Sequence, residues 1–261
     1  MLELFAPAIL LMKIITIVFL SLFISFFSKA QTVQATYTVT EDIYAPLASG
    51  EKKVGTLTNT GYLYKKDGRY VYFEKPNYLK DYPDGYIKIQ TGASNSHLVG
   101  ISIDTLQYLS FVNIDSLYKY NRSNSSGFGR VKENTKQNFS LDFYEWEMLN
   151  ETKTINGLKC QKASLTIRGN LQWVVWFTAE VSMLSGPFGI IGLPGLVVEA
   201  ELVPFKKNYR LNTFTIGKDF PEEIFHPKEY LQPFVQLKDL KKNNDPLKQS
   251  KIQKQAELTN Q

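Results

Sequence analysis

Apolar and polar residues alternate along most of this chain with a period of two. Val33, Ala35, Tyr37 and Val39 are separated by Gln34, Thr36 and Thr38, which predicts a strand with the first set facing inward. Gly61–Lys66 and Arg69–Phe73 are aromatic, β-rich arms around Asp67-Gly68. That dipeptide supplies the two positive-φ positions of a type I′ turn, so a hairpin is expected here. Residues 76–100 are less regular, with a short strand expected at Tyr86–Gln90. Two strands are expected around Asn113 within 106–120, and further ones over Phe139–Met148, Leu158–Ile167, Leu171–Thr178, Leu196–Val203 and Tyr209–Ile216. Asn156-Gly157 and Gly169-Asn170 are the turns between the middle three. Ser123–Arg130 is rich in Ser and Gly and predicts a flexible loop.

Connections between strands are short, and no strand–helix–strand alternation occurs. The expected fold is therefore mainly β, an antiparallel meander forming a curled half-barrel or a sandwich, with few short helices. Composition agrees: 15 Tyr and 17 Phe favour sheet and supply its core.

The two ends read differently. Ile14–Phe27 is an uncharged apolar run after Lys13, followed by Ser28-Lys29-Ala30. This is the pattern of a signal peptide spanning residues 1–30, cut before Gln31, with Met12 as an alternative start. The run is shorter than the ~20 residues of a membrane-spanning helix. The single cysteine, Cys160, leaves no intramolecular disulfide to form. Residues 31–235 are expected to make the β domain. Residues 236–261 lack aromatics, carry six lysines and predict a mobile basic tail. The formal net charge of +5 favours solubility without the clustered basic face of a nucleic-acid binder.

Candidate chemistry is sparse. Cys160 with His97 or His226 would suit a thiol nucleophile, but Cys160 sits inside a strand and is expected as a buried small hydrophobe. Glu145 and Glu147 share one face by alternation, opposite Asp142, as solvent-facing charges would. No His or Cys spacing suits a metal, and no phosphate-binding glycine loop is present, so no catalytic residue, cofactor or metal is assigned. Leu171–Phe177 is apolar on both faces. Trp173 and Phe177 share one, Trp176 takes the other, and these three are the candidate ligand-binding residues of a curled sheet.

The most distinctive passage is Gly186-Pro187-Phe188-Gly189-Ile190-Ile191-Gly192-Leu193-Pro194-Gly195-Leu196-Val197. Pro194 and Gly195 stand where a type II turn prefers them. Gly192-Leu193-Pro194-Gly195-Leu196-Val197 resembles the signature of the GLPGLI family of exported Bacteroidetes proteins, with Val197 in place of Ile. Trp146-Glu147-Met148, Glu151–Ile155, Gly157–Ala163 and Trp176-Phe177-Thr178 stand in that family's order upstream, and Cys160 matches a family cysteine. The resemblance implies export to the periplasm or outer membrane and a role accessory to TonB-dependent transport. It implies no reaction. The strand pattern is also similar to lipoprotein-carrier (LolA-like) half-barrels. The function expected is non-catalytic binding of an apolar ligand or of an outer-membrane receptor. A hydrolase acting on envelope material and a carbohydrate-binding module are the alternatives.

Overall fold

The computed structural model describes residues 32–47, 50–90, 96–122, 134–231 and 233–242. The expected signal peptide, the Ser123–Arg130 loop and most of the basic tail lie outside them. The chain is mainly β. Its first half contributes β1 (Val33–Leu47), β2 (Gly50–Lys66), β3 (Arg69–Pro76), β4 (Tyr86–Gln90), β5 (Ser96–Gly100), β6 (Gln107–Asn113), β7 (Tyr118–Arg122) and β8 (Asn134–Asn138). Its second half contributes β9 (Trp146–Ile155), β10 (Leu158–Ile167), β11 (Asn170–Thr178), β12 (Leu196–Leu202), β13 (Lys207–Ile216) and β14 (Phe234–Gln236).

Among the described residues twelve strands form one open sheet, ordered β14-β8-β7-β6-β3-β2-β1-β13-β12-β11-β10-β9. It consists of two meanders joined where β1 pairs antiparallel with β13, from Val33 opposite Ile216 to Glu41 opposite Lys207. β4 and β5 form a separate hairpin inserted between β3 and β6. The alternation in β1 is realised as expected: Val33, Ala35, Tyr37 and Val39 are all buried. The Asp67-Gly68 hairpin forms too, with Asp67 at φ 56° between paired Lys66 and Arg69, but Gly68 is not at positive φ, so the turn is not the expected type I′.

One apolar cluster draws residues from β1, β2, β3, β6 and β9 to β13, so the sheet curls around a common core. Segment 181–195 lies inside that curl. The Leu184 amide donates to the Tyr70 hydroxyl on β3 at 3.0 Å, and Trp146 Nε1 on β9 donates to the Ile191 carbonyl at 2.8 Å. The same short segment is therefore held by strands far apart in the sheet order. Val181, Met183, Ile190, Ile191 and Leu193 are buried there. Their burial contributes on the order of 10 kcal/mol before the entropy of ordering is set against it. The far face of β3, β6 and β7 is covered as well, by Phe225 on Val71, Leu109 and Phe111.

Four other expectations need correction. The strand expected over Phe139–Met148 is broken by a 3-10 turn at Leu141–Phe143 and begins only at Trp146. Phe139 and Tyr144 are both buried and meet edge to face, ring centroids 6.0 Å apart. Residues five apart in a strand point to opposite faces, so a strand could not bury both on one core. The turn before β11 is Arg168-Gly169, both at positive φ, not Gly169-Asn170. The tail begins later than expected, because β14 pairs in parallel with β8 and Leu240 bridges to Phe139. Gly195 is not at positive φ, so the motif makes no type II turn. Its amide instead donates to the Leu193 carbonyl at 3.0 Å, closing a tighter turn around Pro194.

Candidate functional site

Inward positions of the β1-β2-β3-β13 region are apolar until one end of the sheet, where they turn polar. Glu41 follows Val39 on the inner face of β1. Asn59 precedes Gly61 and Leu63 on β2, Glu74 follows Tyr70 and Tyr72 on β3, and Lys207 precedes Tyr209 and Leu211 on β13. Registers bring these together, Glu41 opposite Lys207 and Gly61 opposite Glu74. Glu74 and Lys207 are 0% and 2% exposed. Lys207 Nζ lies 2.9 Å from Glu74 Oε2 and 3.8 Å from Glu41 Oε2. Asn59 Nδ2 donates to Glu74 Oε2 at 2.7 Å, and the Tyr72 hydroxyl donates to Glu74 Oε1 at 3.0 Å. Gln107 Nε2 donates to the Tyr78 hydroxyl at 2.6 Å. Such a pair is strongly destabilising to break, by roughly 3–5 kcal/mol, because one charge is left buried alone.

Tyr108 caps this layer. Its backbone stands at φ 52° in a bulge of β6, where Ser110 faces Tyr72 but Gln107 faces Glu74. A left-handed non-glycine residue costs about 1–2 kcal/mol. The bulge places the Tyr108 ring 3.5 Å from Lys207 Nζ. Phe188, also left-handed at φ 49°, meets Tyr108 edge to face at 4.9 Å. Burial raises the Glu41 carboxyl above its ordinary range, against the opposing pull of Lys207. Burial, and then the Glu74 charge, holds the Tyr72 and Tyr209 phenols far above theirs.

Two grooves flank Tyr108. One of about 330 Å³ includes Glu41, Asn59 and Gln107 in its lining; the other, of about 360 Å³, includes Lys119, Arg122 and Phe188. A third groove, of about 510 Å³, lies at the β9–β10 end of the sheet. Thr152, Lys153 and Thr154 of β9 and Lys159 and Gln161 of β10 border it, with Cys160, Phe177 and Ala179 as its apolar part.

The residues expected to bind ligand fall in different places. Trp173 and Phe177 are buried on the concave face, Trp173 against Tyr209 and Phe188. That face is filled by segment 181–195 rather than left as an open pocket. Phe177 also lines the 510 Å³ groove. Trp176 lies on the opposite face, where Lys153 Nζ sits 4.3 Å over its ring and Glu199 and Arg210 share a groove of about 280 Å³. Gly192 stands at φ 93°, while Leu193, Leu196 and Val197 are buried.

Cys160 is buried, its Sγ 3.5 Å from the Leu158 carbonyl, and burial pushes the thiol up. His97 is exposed on β5 and His226 is exposed after the 3-10 turn Glu222–Phe225. Glu145 meets Lys242 at 2.9 Å, and Glu147 accepts from the Ser164 hydroxyl at 3.3 Å. Asp142 sits in the 3-10 turn, so strand alternation does not govern its direction. Among the described residues no three His, Cys, Asp or Glu side chains gather as a metal would require, and no helix there is long and apolar enough to cross a membrane.

Sequence reasoning missed the Glu74–Lys207 layer. Its signal was present: charged residues at inward positions of strands whose other inward positions are Tyr, Val or Leu. No family model matches the sequence, and neither does any curated protein. Two solved structures of PNGF-II, in space groups P21 and C2, are similar over 80% of this chain. Their identities are 15% and 16%, with TM-scores 0.46 and 0.43. The match covers 32% and 31% of those chains, so this chain spans about a third of their length. At these scores the likeness carries no argument about what this chain does.

Proposed function

We propose that this chain is an exported protein of the bacterial cell envelope that binds an apolar ligand without transforming it. The observation that carries the reading is the 510 Å³ groove at the β9–β10 end. Its apolar part is Cys160, Phe177 and Ala179, and Lys159 stands on its border, while the Lys153 ammonium is turned to Glu199 at 2.7 Å and to the Trp176 ring. An apolar floor with a cation, Lys159, at its edge suits an acyl chain bearing an anionic head. Supporting export are the Ile14–Phe27 run, the Ser28-Lys29-Ala30 cut and the GLPGLV resemblance. That resemblance also makes a TonB-dependent outer-membrane receptor the partner to which ligand would pass.

Thr154 borders the groove and is exposed on β9, where Trp is a good strand residue. Thr154→Trp fills the groove without disturbing the core. A fluorescent fatty acid titrated into the chain from Gln31 onward is expected to bind saturably, and at least about tenfold more weakly to Thr154→Trp (about 1.4 kcal/mol). No saturable binding by the parent chain, or equal affinity in the variant, overturns the proposal.

A further inference from the structure

The 330 Å³ groove beside Tyr108 is a separate place with its own chemistry. The side-chain donors of Asn59, Gln107, Tyr78 and Lys207 are already engaged. Asn59 Nδ2 serves Glu74 at 2.7 Å and Gln107 Oε1 at 3.5 Å. Gln107 Nε2 serves the Tyr78 hydroxyl at 2.6 Å and the Asp104 carbonyl at 3.1 Å. The Tyr78 hydroxyl donates to the Ser102 carbonyl at 2.8 Å, and Lys207 is held by Glu74.

The acceptors are not engaged in the same way. Asn59 is 5% exposed, and its Oδ1 has no hydrogen-bond partner among the described residues. Which end of that amide is oxygen follows from Glu74, since carboxylate oxygens accept and only the NH2 end can donate to them. A buried carbonyl without a donor costs roughly 1–3 kcal/mol. Among the described residues the Glu41 carboxylate, in the same lining, has Lys207 as its ion-pair partner, at 3.8 Å. Registers place Glu41 opposite Leu57 and Val39 opposite Asn59, so Glu41 and Asn59 are diagonal neighbours on one face. Two carboxylates, Glu41 and Glu74, share the single ammonium of Lys207, which leaves one negative charge. Ile43, Leu57 and Ile101 complete the groove with apolar surface.

An acceptor-rich, net-negative recess with an apolar wall fits one kind of ligand. We propose that this groove binds a small primary alkylammonium ion. Its ammonium donates to Asn59 Oδ1 and the Glu41 carboxylate, and its short chain lies against Ile43, Leu57 and Ile101. Tyr108, held over Lys207 by its strained bulge, forms the wall nearest the buried pair.

The test titrates n-butylammonium chloride into the folded chain at pH 7 and follows the side-chain amide resonances of Asn59 and Gln107. Saturable shifts with a dissociation constant of about 1 mM or tighter are expected. The neutral probe n-butanol should bind at least about tenfold more weakly, and so should n-butylammonium to Glu41→Gln, each lacking a charge-assisted hydrogen bond. Unmoved Asn59 resonances, as ordered water on that carbonyl would give, overturn the proposal. So does equal binding of n-butanol, or undiminished affinity in folded Glu41→Gln. The comparison of the two probes uses the parent chain, so it decides the matter even if the variant fails to fold.

Discussion

Gly195→Ala is expected to be among the most damaging single-methyl substitutions in this chain. A Cβ added at Gly195 would stand 2.1 Å from the Thr178 carbonyl oxygen, 2.7 Å from its carbon and 3.1 Å from Phe177 Cδ2. The obstacle is backbone, so no rotamer change relieves it. Thr178 and Leu196 are registered partners in the β11–β12 ladder, and Leu196 is fully buried. Parting them by the ångström or more that contact distance demands would open the ladder where segment 181–195 enters the sheet. Overpacking of a well-packed core costs typically 1–3 kcal/mol. A backbone collision belongs at the top of that range, about 3 kcal/mol or more, against a total stability of roughly 5–15 kcal/mol. For a domain of this size that lowers Tm by about 10 °C. Gly189→Ala is the control: at φ 73° it meets nothing within 4 Å. It carries only the left-handed penalty of about 1–2 kcal/mol. Urea denaturation of both variants, with matching m-values, measures the difference. If Gly195→Ala loses no more stability than Gly189→Ala, close approach to Thr178 is not why glycine stands there.

Two further outcomes follow from burial. Burial brings the Lys119 ammonium down to about 8, although it donates to the Tyr144 hydroxyl at 3.2 Å. Between pH 8 and the ordinary lysine value near 10.4 the unfolded chain holds a proton that the folded chain has released, so this group's penalty fades as pH rises through that window. Lys119→Met should therefore raise Tm at pH 7 and lose its advantage by about pH 10.5; a gain independent of pH would contradict the desolvation argument. Cys160 should resist a neutral thiol reagent at pH 8 in the native chain and react fully in urea, because its thiol is both buried and raised. Native-state labelling as fast as free cysteine would revive the nucleophile reading.

The strands were legible because their alternation is local. Val33 to Val39 announces its inner face without help from any other segment, and Asn156-Gly157 announces its turn by the positive φ that both residues adopt. What local pattern does not carry is pairing at a distance. Nothing within β3 states that it will meet β6 across an inserted hairpin, or that β1 will join the two meanders through β13. Phe139–Met148 misled for a related reason. Its residues have strand character one by one, and the break appears only once Phe139 and Tyr144 must share a core.

The same distinction explains the buried layer. Glu41, Asn59, Glu74 and Lys207 each look like an ordinary polar residue near a strand end, and four such residues scattered over 167 positions of sequence, from Glu41 to Lys207, suggest nothing together. Continued alternation gives each its direction, since every one follows or precedes an inward Tyr, Val or Leu by two. Register then gives them each other. The GLPGLV passage worked the opposite way, conspicuous in sequence but structural in its first role. Its glycines and apolar residues let the chain fill its own concave face, and Phe188 from that filling closes over Tyr108 and Lys207. A segment that both plugs the sheet and walls the charged layer ties the motif to the site. Binding at the Glu41–Asn59 groove should therefore depend on how well segment 181–195 is seated.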